Sequence, residues 1–284
     1  MELTEKRSYE KVIDRLYNAI KHHRDMSFVS MGSVTCPSDT YPLFCVTIGN
    51  RFDSNLKDVL ISAGVHGEEP AGVFALLKFL EEDVSEFMDE FRFLIFPCIN
   101  PFGFEYNNRF NSQPDPNHEG KYMNINREFK KGTLCAEVKV VMTQLEMRSR
   151  QFVCTIDLHE TDPNYFDEES TCDDNPKEFY MWESCLDKNL RIGDRVIKSI
   201  ESVIPVCRWD EIYKDISSDG VIWYPEGCKN ETFAERTTFE VFLADNYTPQ
   251  AFTLETPCGW HINQRVFAHQ LALRSILELK RSIA

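Results

Sequence analysis

Four short apolar runs constrain this chain more than any other feature, because most of them end on a residue that can do chemistry. They are "VLISAGV" (59–65), followed directly by His66, "RFLIFPCIN" (92–100), "FVCTIDLHE" (152–160) and "AFTLETP" (251–257). Such lengths suit strands, and a run apolar at nearly every position is what burial on both faces requires. Between the runs lie stretches of helical periodicity. These are "PAGVFALLKFLEE" (70–82), with Pro70 suited to a first turn, 135–149, 187–203 and a closing 263–282. A helix over 8–24 and strands over 26–34 and 43–49 precede them. Strands alternating with helices predict an α/β fold around a largely parallel or mixed sheet. Ligands collect at the C-terminal ends of strands in such sheets, so the polar residues that close these runs are the first candidates for a site.

No Gly/Ser-rich or Pro-rich stretch divides the 284 residues and no internal repeat is visible, which predicts one domain over 1–284. The apolar runs are far too short to span a bilayer. The N-terminus spreads charge through a helical pattern instead of showing a signal peptide's apolar segment, so a cytoplasmic protein is expected. The ten cysteines are scattered singly, without a CxxC, and Cys45, Cys98 and Cys154 fall inside apolar runs. They read as small buried thiols in a reducing compartment. A net charge of −15 argues against nucleic acid or an anionic membrane as partner. It serves solubility, with attraction of basic substrates as a second reading. Two polar, aperiodic stretches, 103–131 and 161–178, read as long loops, which in compact domains tend to be functional.

His66 and Glu69 stand three residues apart in "HGEE", at the end of a buried strand and the start of a helix. A His and a carboxylate at this spacing can share a metal when the local turn brings both side chains inward. Glu68 reads as a helix-start carboxylate favoured by the helix dipole. Similar pairs, His22 with Asp25 and His159 with Asp162, show that spacing alone is poor evidence; His22 lies on a charged helical face and reads as solvated. Context distinguishes His159, which ends a second buried strand. Asp157 lies two residues earlier and so shares its face, where it can orient a ligating imidazole. Two His and one Glu with an open fourth position make a hydrolytic rather than a structural zinc site. Glu255 ends a third strand, placed to take a proton from the attacking water. Arg109 and the pair Asn126–Arg127, in the long loop region, supply positive charge for a substrate carboxylate or serve as surface ion-pair partners.

In order, "HGEE", "NPFG" (100–103), "NINREF" (124–129), "DLHE" (157–160) and "TLETP" (253–257) resemble the zinc carboxypeptidase (carboxypeptidase A-like) family. "DLHE" and "TLETP" look nearer the bacterial murein-peptide amidases and the desuccinylase/aspartoacylase branch. The resemblance runs from about residue 58 to 258. It implies a single α/β domain with a mixed, roughly eight-stranded sheet flanked by helices, and one Zn2+ held by His66, Glu69 and His159. It implies Glu255 as general base and acid, Asn126 and Arg127 gripping a terminal carboxylate, and Arg109 polarising the scissile carbonyl. Tyr224 and Tyr247 are both candidates for the family's substrate-side tyrosine. The implied activity is hydrolysis of an amide bond next to a free carboxylate, as in a metallocarboxypeptidase. A rival is an amidohydrolase on N-acyl amino acids or murein peptides. An inactive peptide-binding relative is a third reading, disfavoured because every ligand and the base are present.

Overall fold

The computed structural model describes residues 7–21, 23–37, 39–50, 52–148, 151–161, 175–229 and 235–282. Three of the four apolar runs form neighbouring parallel strands: β3 (Lys57–Ala63), β5 (Cys154–Thr161) and β10 (Ala251–Pro257), with β4 (Phe91–Phe96) from the remaining run on the far side of β3. β1 (Met26–Thr35) and β2 (Thr40–Ile48) extend the β4 side antiparallel. Beyond β10 come β6 (Tyr180–Ser184), β9 (Val221–Tyr224), β8 (Asp215–Ser218) and β7 (Glu211–Ile212). The sheet is thus mixed and has ten strands, two more than the resemblance implies. The four strands of the 180–224 region are only two to five residues long, too short for any periodicity to register.

Alternation along the strands sorts side chains into two cores. Val59 and Ile61 of β3 and Leu158 of β5 join Val73, Val196 and Ala272 from the helices Pro70–Lys78, Gly193–Ile200 and Ile262–Ser282. Leu60 points the other way, to Val138 and Val141 of Ala136–Glu146 and to Phe239 and Leu243 of Phe239–Asn246. Burying both faces offsets the ordering entropy of the strands, at roughly 25 cal/mol for each Å² of apolar surface removed from water. Asp157 and His159, on the face opposite Leu158, lie on the second side.

The stretch 103–131 is not loop throughout. It is entered through the helix Pro101–Tyr106, whose N-cap Asn100 accepts from the Gly103 amide at 2.8 Å, and it contains a single turn at Ile125–Arg127. Of the stretch 161–178, residues 162–174, Asp162 included, lie outside the described residues, as does His22. Cys45, Cys98 and Cys154 are buried free thiols, as their apolar settings predict. Among the described residues no helix is long and apolar enough to cross a membrane.

Candidate metal centre

The turn after β3 sets up the site. Gly64 takes φ +65°, a left-handed conformation that costs glycine little, and redirects the chain as the strand ends. Gly67 lies against the helix Pro101–Tyr106 so closely that a Cβ would sit 2.0 Å from the Gly103 carbonyl carbon. Only glycine fits there. That contact folds His66 and Glu69 back toward β5, and Pro70 opens the helix immediately after Glu69.

His66, Glu69 and His159 are all buried, and their ligand atoms lie within 4.8 Å of one another. The His66 and His159 rings are 4.9 Å apart, edge to face. Glu69 sits between them, with Oε1 2.8 Å from His66 Nδ1 and Oε2 2.8 Å from His159 Nδ1. The outer nitrogens have partners of their own: His159 Nε2 lies 2.9 Å from Asp157 Oδ2, and His66 Nε2 lies 3.2 Å from Asn124 Oδ1. Donation from each Nε2–H fixes the tautomer and turns both Nδ1 lone pairs toward the Glu69 carboxylate. Three electron-rich atoms facing one another is an arrangement that a cation satisfies. The donors fit zinc, which takes imidazole nitrogen and carboxylate oxygen in a three-residue set with one open position. Asp157 is itself held by Ser62, whose hydroxyl donates to Oδ1 at 2.7 Å.

Electrostatics follow from the packing. Burial and the nearby Arg109 charge push the His66 imidazole down to about 4. Burial alone would also lower His159, but the Asp157 and Glu69 carboxylates hold it well above the usual histidine range. Burial would raise Glu69, yet the two imidazoles pull it well below the carboxylate range. With no cation present, His159 must therefore be imidazolium to sit between two carboxylates. A metal replaces its Nδ1 proton, so metal binding releases acid and strengthens with pH.

Glu255 arrives beside this group by register: in the parallel pair β5/β10 it is the direct partner of His159. Its Oε2 accepts from the Thr161 hydroxyl at 2.9 Å, and that hydroxyl lies 2.8 Å from Tyr180 Oη. Loss of surrounding water, with the Glu69 charge adding to it, pushes the Glu255 carboxyl up to about 8. Arg109 also reaches the site, where its Nη1 donates to Glu68 Oε1 at 3.1 Å and to Glu69 Oε1 at 3.0 Å. Glu68 is thus an Arg109 partner, not a helix cap, and burial pushes it up to about 7 despite that partner. The helix-start role falls to Glu160, whose Oε1 accepts from the Ala71 amide while its backbone N–H donates to Glu69 Oε2 at 3.0 Å.

Asn126 and Arg127 stand on the turn Ile125–Arg127, where Asn126 Oδ1 accepts from the Phe239 amide at 2.8 Å and Arg127 Nη1 donates to the Asn126 carbonyl at 2.9 Å. Neither tyrosine singled out in the sequence stands beside Glu255. Tyr247 packs on Phe242, and Tyr224 Oη accepts from Arg236. Two other tyrosines stand near Glu255: Tyr180, which shares Thr161 with it, and Tyr213, from the turn between β7 and β8, which shares a hydrogen bond with Tyr180 and feels both the Glu255 and Arg109 charges. A two-residue strand followed by a left-handed Tyr213 has no sequence signature that would have found it.

Glu160 makes a testable structural claim. Its side chain has no exposed surface, and among the described residues the cation in ion-pair contact with it is Arg265, 14% exposed, on the closing helix. Arg265→Leu strands that carboxylate, and is expected to cost about 3 kcal/mol in chemical denaturation of metal-loaded protein. Adding Glu160→Gln should return most of the loss, because the buried charge is gone.

The sheet with its flanking helices is a carboxypeptidase-like fold. The catalytic domain of the succinylglutamate desuccinylase/aspartoacylase family matches residues 55–185. A Shewanella baltica structure carrying a metallopeptidase assignment superposes with a TM-score of 0.72 at 24% identity, covering 95% of this chain and 91% of that one. A metallo-carboxypeptidase from Burkholderia cenocepacia gives 0.67 at 17%, over 98% and 70%. Carboxypeptidase A from Helicoverpa armigera gives 0.65 at 14%, over 97% and 75%. At these identities the structures speak to the fold alone. No curated protein sequence matches the chain. The chain thus shares the carboxypeptidase-like fold, and part of it, 55–185, resembles the desuccinylase/aspartoacylase catalytic domain.

Proposed function

We propose that residues 1–284 form one catalytic domain that hydrolyses an amide bond next to a free carboxylate, with a single zinc held by His66, Glu69 and His159. The observation that carries this reading is the convergence of the buried His–Glu–His set with Glu255, delivered from the ends of three neighbouring parallel strands. Zinc bound there supplies a Lewis acid and an acidified water. Glu255 takes the proton of the attacking water and passes it to the leaving nitrogen; a carboxyl near pKa 8 suits the second half of that task. The Arg109 guanidinium, at the ligand Glu69, polarises the scissile carbonyl and steadies the developing oxyanion. Asn126 and Arg127 hold the substrate carboxylate, with Arg127 offering the planar fork that such a group fits. Tyr213 closes the site from the β7–β8 turn.

A second reading is an amidohydrolase acting on N-acyl amino acids. It is favoured by the family match over 55–185, which contains the ligands His66, Glu69 and His159. The metal chemistry is the same, so substrates must decide. Metal-quantified protein should be offered C-terminally varied peptides, N-acyl amino acids and γ-linked muropeptides. Turnover of the peptides is expected; hydrolysis confined to N-acyl amino acids would replace the carboxypeptidase reading with the amidohydrolase one. Peptide binding without hydrolysis on any arm would instead mark an inactive relative.

A further inference from the structure

His66 and Glu69 come from one short turn, and the peptide between them is held from outside it. Within the turn, the Glu69 amide reaches the His66 carbonyl only at 3.4 Å. Gly67, between the two ligands, has no Cβ to restrict its own backbone. Its carbonyl instead accepts from Arg7 Nη1 at 2.8 Å, a contact that spans 60 residues of chain. A bond to that carbonyl sets the plane of the Gly67–Glu68 peptide, because the peptide unit is rigid. The plane in turn sets the direction in which the chain leaves His66 and reaches Glu69.

Arg7 is built into this place by more than one contact. Its Nη2 donates to Asn107 Oδ1, and its guanidinium lies over the Phe104 ring, 5.3 Å from the centroid. Phe104 and Asn107 belong to the helix Pro101–Tyr106 and its left-handed C-cap, the element whose Gly103 closes on Gly67. The chain just after Arg7 grips the same helix, where the Tyr9 amide donates to Glu105 Oε1 at 3.0 Å. The Glu160 and Glu68 carboxylates draw the guanidinium inward, against repulsion from Arg265. A planar fork of donors can serve a carbonyl, an amide oxygen and a ring face at once, which an ammonium cannot.

Contacts from outside the ligand set tune metal affinity, because ligands bind best when their geometry is fixed before the ion arrives. Glu69 already has such a support from β5, the Glu160 backbone N–H on its Oε2. The Gly67 carbonyl gives the turn a second one. We infer that Arg7 is a positioning residue for the metal centre: by holding the Gly67 carbonyl against the helix Pro101–Tyr106, it keeps His66 and Glu69 at the separation that a shared zinc requires. The inference rests on the proposed zinc site and extends it to the segment that precedes the first helix. Arg7 acts through the peptide between the ligands, since its own contacts are with Gly67, Asn107 and Phe104.

The test follows variants of the full chain by calorimetric zinc titration and by chemical denaturation of metal-free protein. Arg7→Met keeps an apolar stem over Phe104 and removes every donor. Its zinc affinity should fall about tenfold, the lower end of what loss of a residue supporting metal ligands costs. Arg7→Lys keeps the charge and can serve the Gly67 carbonyl alone, so its loss should be smaller. Tyr9→Phe is the structural control. It removes the 2.9 Å bond from the Tyr9 hydroxyl to the Pro42 carbonyl, two residues along the same segment, and leaves the Gly67 carbonyl held. It should lower stability with zinc affinity at the wild-type value. Wild-type affinity in Arg7→Met overturns the inference. An equal loss of affinity in Tyr9→Phe overturns it too, by reducing Arg7 to a folding contact. If Arg7→Met does not fold, Arg7→Lys is set against Tyr9→Phe: weaker zinc binding in Arg7→Lys supports the inference, and equal binding overturns it. Affinity is read without turnover, so this result stands apart from the substrate panel; failure of the wild type to bind zinc overturns both the zinc site and the role of Arg7.

Discussion

Glu255→Gln is expected to lower kcat by about 10³-fold to 10⁴-fold with bound metal unchanged. The substitution is nearly isosteric, and the Thr161 hydroxyl that donates to Glu255 Oε2 at 2.9 Å can donate equally to an amide oxygen. Position is therefore retained, and the ability to accept and return a proton is lost. Because Glu255 is paired in register with His159 and is not among the grouped ligand atoms, zinc stoichiometry should stay at the wild-type value. The measurements are metal analysis and steady-state kinetics on the preferred substrate of the panel. A rise in KM with kcat unchanged would mean that Glu255 contributes uniform binding and not proton transfer. Wild-type turnover at full zinc content would falsify the mechanism.

The parts of this site that could be read in advance are those set by strand alternation and strand ends. His66, His159 and Glu255 each close a buried run, and Asp157 follows from a period of two. Fixed periods turn sequence spacing into position, so these residues meet in space as expected. The residues that could not be placed depend on contacts between distant segments. Glu68 looks equivalent to a helix-start acid until the fold brings Arg109 across from a loop some forty residues on. Glu160 caps a helix that begins ninety residues earlier in the chain. Tyr213 comes from the 204–250 region, where strands of two to four residues carry no period and the left-handed turn at Tyr213 and Lys214 uses non-glycine residues. The two strands beyond the expected eight hide in the same region, because their pairing supplies structure that local sequence does not announce.

Removing either histidine of the proposed metal site should greatly weaken zinc binding, yet the two losses should differ in what they do to the protein without metal. His66→Ala and His159→Ala each leave two protein ligands, and a fall in zinc affinity of at least about 10³-fold is expected, with activity lost in step. In metal-free protein the two histidines have different jobs. His66, pushed down to about 4 by burial and Arg109, is neutral at pH 7. Its loss removes the Nε2–H hydrogen bond to Asn124 Oδ1 and should cost on the order of 1 kcal/mol. His159 is held protonated by Asp157 and Glu69, and it is the cation that keeps those two buried carboxylates compatible. Its loss leaves them without that cation and should cost about 3–5 kcal/mol. Calorimetric zinc titration reads the first effect, and chemical denaturation after chelator treatment reads the second. The sign of the pH dependence separates them further. The stabilisation from protonated His159 is complete below the pKa of an unfolded histidine and is lost only as pH rises through its raised folded value, so at pH 7 it should still be present. Equal stability of the two metal-free variants at pH 7 would show that Asp157 and Glu69 do not depend on the His159 charge, and would move the electrostatic centre of the site to Arg109, the other cation in contact with Glu69.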